Sequence, residues 1–258
     1  MAETDLSPRA VCPLSVACRL GGERWRRSRD RRSLVEFVSE NPDVDLDSLD
    51  GLSTISVTDG DADPGEVLET VRAIASAGLL PLTYDDDRFE GLNRLVAWLL
   101  SAGHVESSSH VPYFEIHHGM DYERLDRAFV RIGHGYERAE ATSNGSSVVR
   151  PREAASALGR VFLTLGVPEG PHSSARRLPP YLERCPPPLR TTFAHVYLNN
   201  RGREREGAIE VVEEGPEDYR RALAALFGEV CDAPVSVVDD RIVLSPIAVG
   251  RLRGRLPS

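Results

Sequence analysis

Two tracts of this chain read as copies of one another, and the copying limits the folds open to it. In FEGLNRLVAWLLSAG, Phe89 to Gly103, the residues Leu92, Leu95, Val96, Leu99 and Leu100 fall at i, i+3, i+4, i+7 and i+8. That spacing predicts one apolar stripe along a helix. Asn93, Arg94 and Ser101 sit off the stripe, and Gly103 offers a stop that tolerates positive φ. A weaker copy, LRTTFAHVYLNNRG, ends at Gly202. After Gly103, VPYFEIHHG alternates as a strand with Phe114 and Ile116 on one face and Glu115 and His117 on the other. MDYERLDRAFVRIG predicts a helix with Leu125, Ala128, Phe129 and Ile132 inward. A hairpin around Asn144-Gly145 follows, and Pro151 opens a helix that buries Leu158, Val161, Phe162 and Leu165. After Gly202 the order returns: strand AIEVVEEG, helix PEDYRRALAALFGEV, a hairpin around Asp239-Asp240, and a helix from Pro246. Gly103 matches Gly202, Asp121-Tyr122 matches Asp218-Tyr219, and Pro151 matches Pro246. Two such units predict a pseudo-symmetric body whose equivalent helices meet at its axis. Ala97 lets them approach closely, whereas Val196 and Tyr197 make the second helix bulkier.

Between the repeats runs GVPEGPHSSARRLPPYLERCPPP, a long connection with one short helix near Tyr181. Before them the chain is of another kind. RLGGERWRRSRDRR, Arg19 to Arg32, holds seven arginines against Glu23 and Asp30, with Trp25 among them. Guanidinium groups grip phosphate and stack on bases, and an indole adds a stacking surface, so Arg19, Arg24, Trp25, Arg26, Arg27, Arg29, Arg31 and Arg32 are candidate nucleic-acid contacts. The plainer reading is a solvated helix face pairing with acids downstream. A helix over Ser33 to Ser39, a strand over Ser53 to Val57 and an amphipathic helix over Pro64 to Gly78 follow. Asp43, Asp45 and Asp47 lack the glycine and closing glutamate that a calcium loop needs at fixed offsets.

With 258 residues the chain can bury a sizeable core. It contains no lysine and no glutamine, so all 31 basic residues are arginine. That bias hints at a GC-rich genome and, with a net charge of -9, at a high-salt, halophilic cytoplasm. An acidic balance disfavours unspecific attraction to nucleic acid or anionic membranes. Cys12, Cys18, Cys185 and Cys231 show no metal-binding spacing and read as reduced thiols. No apolar run is long enough for a membrane span and no leader pattern is visible, which gives a cytoplasmic protein as the expectation.

Three pieces then carry a resemblance: LNRLVAWLLSAGHV, LGRVFLTLGVPEGPHSSARRLPPYL and LRTTFAHVYLNNRG. Over about residues 88–255 the chain resembles the LAGLIDADG homing endonucleases, especially the archaeal, intein-associated type. The resemblance implies an α+β fold: a duplicated αββαββα-type pseudo-two-fold domain with a small N-terminal α/β extension. The implied divisions are the extension at 1–87, of undefined role, a first repeat at 88–165, a connection at 166–187 and a second repeat at 188–258. Both repeats lie in one chain, which implies a monomer, with double-stranded DNA as the partner.

In that family each signature helix ends in a carboxylate just before its terminal glycine, and the two acids hold magnesium beside the scissile phosphates. Hard divalent cations need anionic oxygen ligands to neutralise developing charge and activate water. The matching positions here are Ala102 and Arg201, with Leu100 and Asn199 two residues earlier. A methyl group and a guanidinium give magnesium no ligand, so the expectation is no catalytic residue, no metal, no cofactor and no enzyme activity. His172 and Ser173 stand where the family's connection often has lysine and serine. The family reads DNA with its strand faces, but alternation puts Glu115, Glu137, Glu210 and Glu214 there, with Arg138 among few arginines. Arg201, Arg203 and Arg205 are the better contacts in this half of the chain.

These readings give a catalytically inactive, DNA-binding or regulatory relative of the endonucleases. One alternative is an active site-specific, magnesium-dependent endonuclease that uses displaced acids: Glu106, Glu204 or Asp85 to Asp87. Another is a protein-interaction scaffold with no nucleic-acid role. His104, His110, His117 and His118 cluster in sequence, but no pair has the helical spacing of metal ligands.

Overall fold

The protein is described by a computed structural model. It describes residues 84–117, 122–139, 147–170 and 176–254, with Ser76, Gly78 and Leu79 before them. The arginine tract of 19–32, the helices and strand expected before residue 76, the Asn144-Gly145 turn, Asp121, His118, His172 and Ser173 lie outside the described residues.

Two units follow each other in the same order. The first is α1 (Asp87–Ala102), β1 (Gly103–Val105), β2 (Pro112–Ile116), α2 (Tyr122–Arg131), β3 (Tyr136–Ala139), β4 (Ser147–Pro151) and α3 (Ala155–Leu165). The second is α4 (Pro187–Arg201), β5 (Gly202–Arg205), β6 (Ala208–Val212), α5 (Glu217–Cys231), β7 (Val235–Val238), β8 (Arg241–Leu244) and α6 (Pro246–Gly254). A 3-10 turn at Pro180–Glu183 lies between them, at the Tyr181 position expected for a short helix. Each unit is αββαββα, and each carries one four-stranded antiparallel sheet, ordered β1-β2-β4-β3 and β5-β6-β8-β7. The short strands β1 and β5, directly after the two helices, are the elements that residue patterning lacked. Strands of three and four residues give too little alternation to read.

Register brings the paired strand residues of the two units into correspondence. Gly103 pairs with Phe114 and Gly202 with Val211; Phe114 pairs with Val149 and Val211 with Ile242. Phe114 therefore corresponds to Val211, and Ile116 to Glu213. Pro151 pairs with Tyr136 as Leu244 pairs with Val235, so Pro151 corresponds to Leu244 rather than to Pro246.

Helices cover one face of each sheet. Phe114, fully buried on β2, meets Phe129 of α2 and Phe162 of α3 edge-on, at 5.2 and 6.1 Å between ring centroids. The expected stripe on α1 is buried in full, as are Leu125, Ala128, Phe129, Ile132, Leu158, Val161, Phe162 and Leu165. Twelve of the sixteen residues of α1 are buried, because α1 packs against its own sheet, α2 and α4 together. Asn93 and Ser101, off the apolar stripe, are thus buried rather than solvated. Gly103 also departs from expectation. Its φ of 170° is extended rather than left-handed. Glycine is needed there because a Cβ would lie 2.4 Å from the carbonyl oxygen of Tyr113 on the neighbouring strand.

Candidate functional site

Helices α1 and α4 end side by side. Asn200 donates from Nδ2 to Ser101 Oγ at 2.9 Å, and Ser101 turns its own hydroxyl back to the Ala97 carbonyl at 2.7 Å. From the middle of α1, Asn93 donates to the carbonyl of Leu189 near the start of α4 at 2.9 Å and accepts from the Tyr181 hydroxyl at 2.7 Å. One helix pair is therefore joined at two levels by amides. Ala102 and Arg201 are the next residues along, Ala102 buried and Arg201 exposed.

A cleft of about 930 Å³ opens beside these ends, lined by Ser101, His117, Arg176, Asn200, Arg201, Gly202, Arg203 and residues 212–216. At its base lies Glu213, only 1% exposed, just past the end of β6. Its carboxylate accepts from the Tyr197 hydroxyl at 2.5 Å, from Arg176 Nη1 at 3.2 Å and from the Gly215 amide at 3.1 Å. Tyr219 joins the network, donating to the Tyr197 oxygen at 3.3 Å. Burial, first of all, pushes the Tyr197 and Tyr219 phenols well above their ordinary range, so both stay protonated donors. A buried carboxylate is tolerated only when paired and hydrogen-bonded, and Glu213 is both. Sequence reading passed over it as a strand residue. The signal was the Glu213-Glu214 pair at a strand end whose equivalent in the first unit is Ile116-His117.

The donor set does not fit the magnesium that the endonuclease resemblance implies. Ala102 has no ligating atom and Arg201 is a cation, while both oxygens of Glu213 are engaged by its donors. The displaced acids do not gather here. Asp86 caps the start of α1 by accepting from the Arg88 amide, a helix length of about 24 Å from Ala102. Glu204 lies on the helix-covered side of its sheet and pairs with Arg253 of α6 at 2.6 Å. Glu106 sits in the exposed turn after β1. The histidines are dispersed too: His104 stacks on Tyr113, His110 lies 3.5 Å from Glu169, and His117 lies 3.5 Å from Glu115. Among the described residues, no group of three His, Cys, Asp or Glu side chains could hold a metal ion.

The uncovered sheet faces differ from one another. Register puts His104, Tyr113, Glu115, Glu137, Val148 and Arg150 on the open face of the first sheet, and Arg150 pairs with Glu137 at 2.7 Å. Arg138, expected on this face, is on the other side. Its neighbour in register is the buried Val149, and its guanidinium lies 4.9 Å from the centre of the Tyr122 ring on α2. On the second sheet the open face carries Arg203, Arg205 and Arg241 with Glu210, and Arg241 also lies 3.8 Å from Asp240 in the β7–β8 turn; Ala208, Val212, Ser236, Val238 and Val243 fill the places between them. Arg241 was missed in the sequence because it lies in the turn-rich DDRIV stretch; it reaches Glu210 at 3.4 Å. Arg203 and Arg205 stand one on each side of Glu204 in β5, and both are exposed.

No protein-family model matches the chain. No curated protein matches it either. Among solved structures it is similar to the N-terminal LAGLIDADG domain of DUF199/WhiA, with a TM-score of 0.43 and 9% identity, over 70% of this chain and 90% of that one. It is also similar to full-length DUF199/WhiA from Thermatoga maritima, with a TM-score of 0.41 and 10% identity, over 64% of this chain. The chain spans about half the length of that full-length protein (55%). No helix among the described residues is long and apolar enough to cross a membrane.

Proposed function

We propose that this chain is a LAGLIDADG-like protein that binds double-stranded DNA without cutting it. The observation that carries the reading is the pairing of two features in one frame. The helix ends where the endonuclease resemblance calls for two carboxylates present Ala102 and Arg201 instead. The open face of the adjoining second sheet is basic, with Arg203, Arg205 and Arg241 around Glu210. Arginines on a strand face reach phosphate and the guanine edge in fork geometry, so such a face suits a duplex. Without acids at the helix ends there is no ligand set for a metal ion that would activate water beside a scissile phosphate. In this reading the first sheet, whose Arg150 is already bound to Glu137, contributes little to DNA contact.

The test is a binding titration with duplex DNA, run beside a plasmid-nicking assay in magnesium. Binding in EDTA and in magnesium alike, with supercoiled plasmid left intact, is expected. Magnesium-dependent nicking would overturn the inactive reading. A chain that binds only protein partners and no duplex at low salt would overturn the DNA-binding one.

A further inference from the structure

We propose that the cleft beside the helix ends seats a phosphoryl group directly on guanidinium groups, with no metal between them. Three arginines reach it from three segments: Arg176 from the connection between the repeats, Arg201 from the last turn of α4, and Arg203 from β5. They are held differently. Arg176 is 13% exposed and is held at the cleft lining by one nitrogen, Nη1, donating to the buried Glu213 carboxylate at 3.2 Å. Arg201 and Arg203 are exposed and form no ion pair among the described residues, so their donors face the cleft unspent. Neutral donors complete the rim: the Asn200 amide has a second N–H beyond the one given to Ser101.

A carboxylate would be satisfied by one of these forks. Several forks from different directions suit an anion whose oxygens point several ways, which is the geometry of phosphate. The nearby carboxylates neutralise the seat only in part: Glu213 offsets Arg176 and commits its oxygens to Tyr197 and Gly215, and the exposed Glu214 is the other acid in a lining that holds three arginines. The volume, about 930 Å³, is far larger than a phosphate, leaving room for the sugar and base attached to it. The phosphoryl group can come from a DNA backbone or from a free nucleotide. The proposal extends the DNA-binding reading to a named subsite, and its probe does not require a duplex.

Inorganic phosphate is titrated into the full chain in EDTA at low chloride, followed by calorimetry and by the arginine Nε–H signals in NMR. Saturable binding is expected, displaced by sulfate and not by acetate. The double variant R201A/R203A removes two exposed side chains; it should melt as the parent does and bind phosphate at least about tenfold more weakly. Competition by duplex DNA would identify the backbone as the source, and competition by a nucleoside monophosphate alone would identify a free nucleotide. Phosphate affinity unchanged in R201A/R203A, or no saturable binding at all, would overturn the proposal whether or not the chain binds duplex.

Discussion

Asn93 is a polar residue at a buried point where helix packing alone would call for an apolar one. Its side chain is fully buried, donates to Leu189 at the start of α4 and accepts from Tyr181 in the connection between the repeats. Three parts of the chain are joined through one amide, and burial holds the Tyr181 phenol protonated as the donor. Replacing Asn93 by alanine leaves that hydroxyl without its acceptor inside the core, a cost of about 2 kcal/mol. Chemical denaturation of Asn93→Ala should show that loss in the midpoint, and an unchanged midpoint would show the pin to be dispensable. Cys185, four residues from Tyr181, makes a prediction about pH. Burial pushes its thiol up to about 11, against about 8.5 in an unfolded chain. The folded state thus resists ionisation that the unfolded state accepts. Its contribution is complete below about pH 8.5 and is lost as pH rises toward 11. The difference in denaturation midpoint between the parent and Cys185→Ala should therefore narrow over that interval and be constant below it.

At the scale of elements, two prolines in similar settings behave in opposite ways, and the contrast separates what the sequence could tell from what it could not. Pro246 opens α6 as expected, helped by Ser245, whose hydroxyl accepts from the Ala248 amide and whose carbonyl accepts from Val249. Pro151 was expected to open a helix and instead ends β4, with α3 starting only at Ala155 after a left-handed Ala154 at φ 48°. Pairing to β2 stops at Val149, so beyond that point proline's missing N–H faces no partner there. Arg150 offers no cap of the kind Ser245 gives. Local periodicity told where the apolar faces lie, and caps told where one helix begins. Strand ends were set by neighbours in the sheet, which no local pattern encodes. The same holds for the candidate site: Ala102 and Arg201 could be marked from the repeat, but Glu213 acquires meaning only when Arg176, from another segment, closes on it. Gly159 is a further case. On α3 a glycine reads as a weak helix former, yet a Cβ there would fall 1.6 Å from the His110 carbonyl oxygen in the β1–β2 turn. Propensity alone predicts that Gly159→Ala stabilises by about 1 kcal/mol. Packing predicts the reverse, about 3 kcal/mol of destabilisation as α3 is pushed off the turn. A thermal melt of that variant decides between the two by sign.

The described residues form two like units that differ in charge more than in strand order and register. Both sheets keep the same strand order and register, yet the open face of the first balances Arg150 against Glu115 and Glu137, while that of the second sets Arg203, Arg205 and Arg241 against Glu210. A chain of net charge -9 draws no duplex to itself over long distances, so contact has to come from a local excess such as this one. If DNA lies on the second sheet, each arginine that touches a phosphate releases counterion, and the slope of log affinity against log salt falls by about 0.9 for each one removed. Arg203→Ala, Arg205→Ala and Arg241→Ala should each flatten that slope by roughly such a step. Arg241, which shares its charge with Glu210 at 3.4 Å, should show the smallest effect. Opposite changes on the first sheet give the complementary result. Replacing Glu115 and Glu137 by glutamine removes carboxylates from a face that otherwise repels phosphate, and binding should hold or tighten without a change in slope. Equal losses from both sheets would mean a duplex straddling the two units, and flat slopes in all three arginine variants would move the contact off the strands altogether.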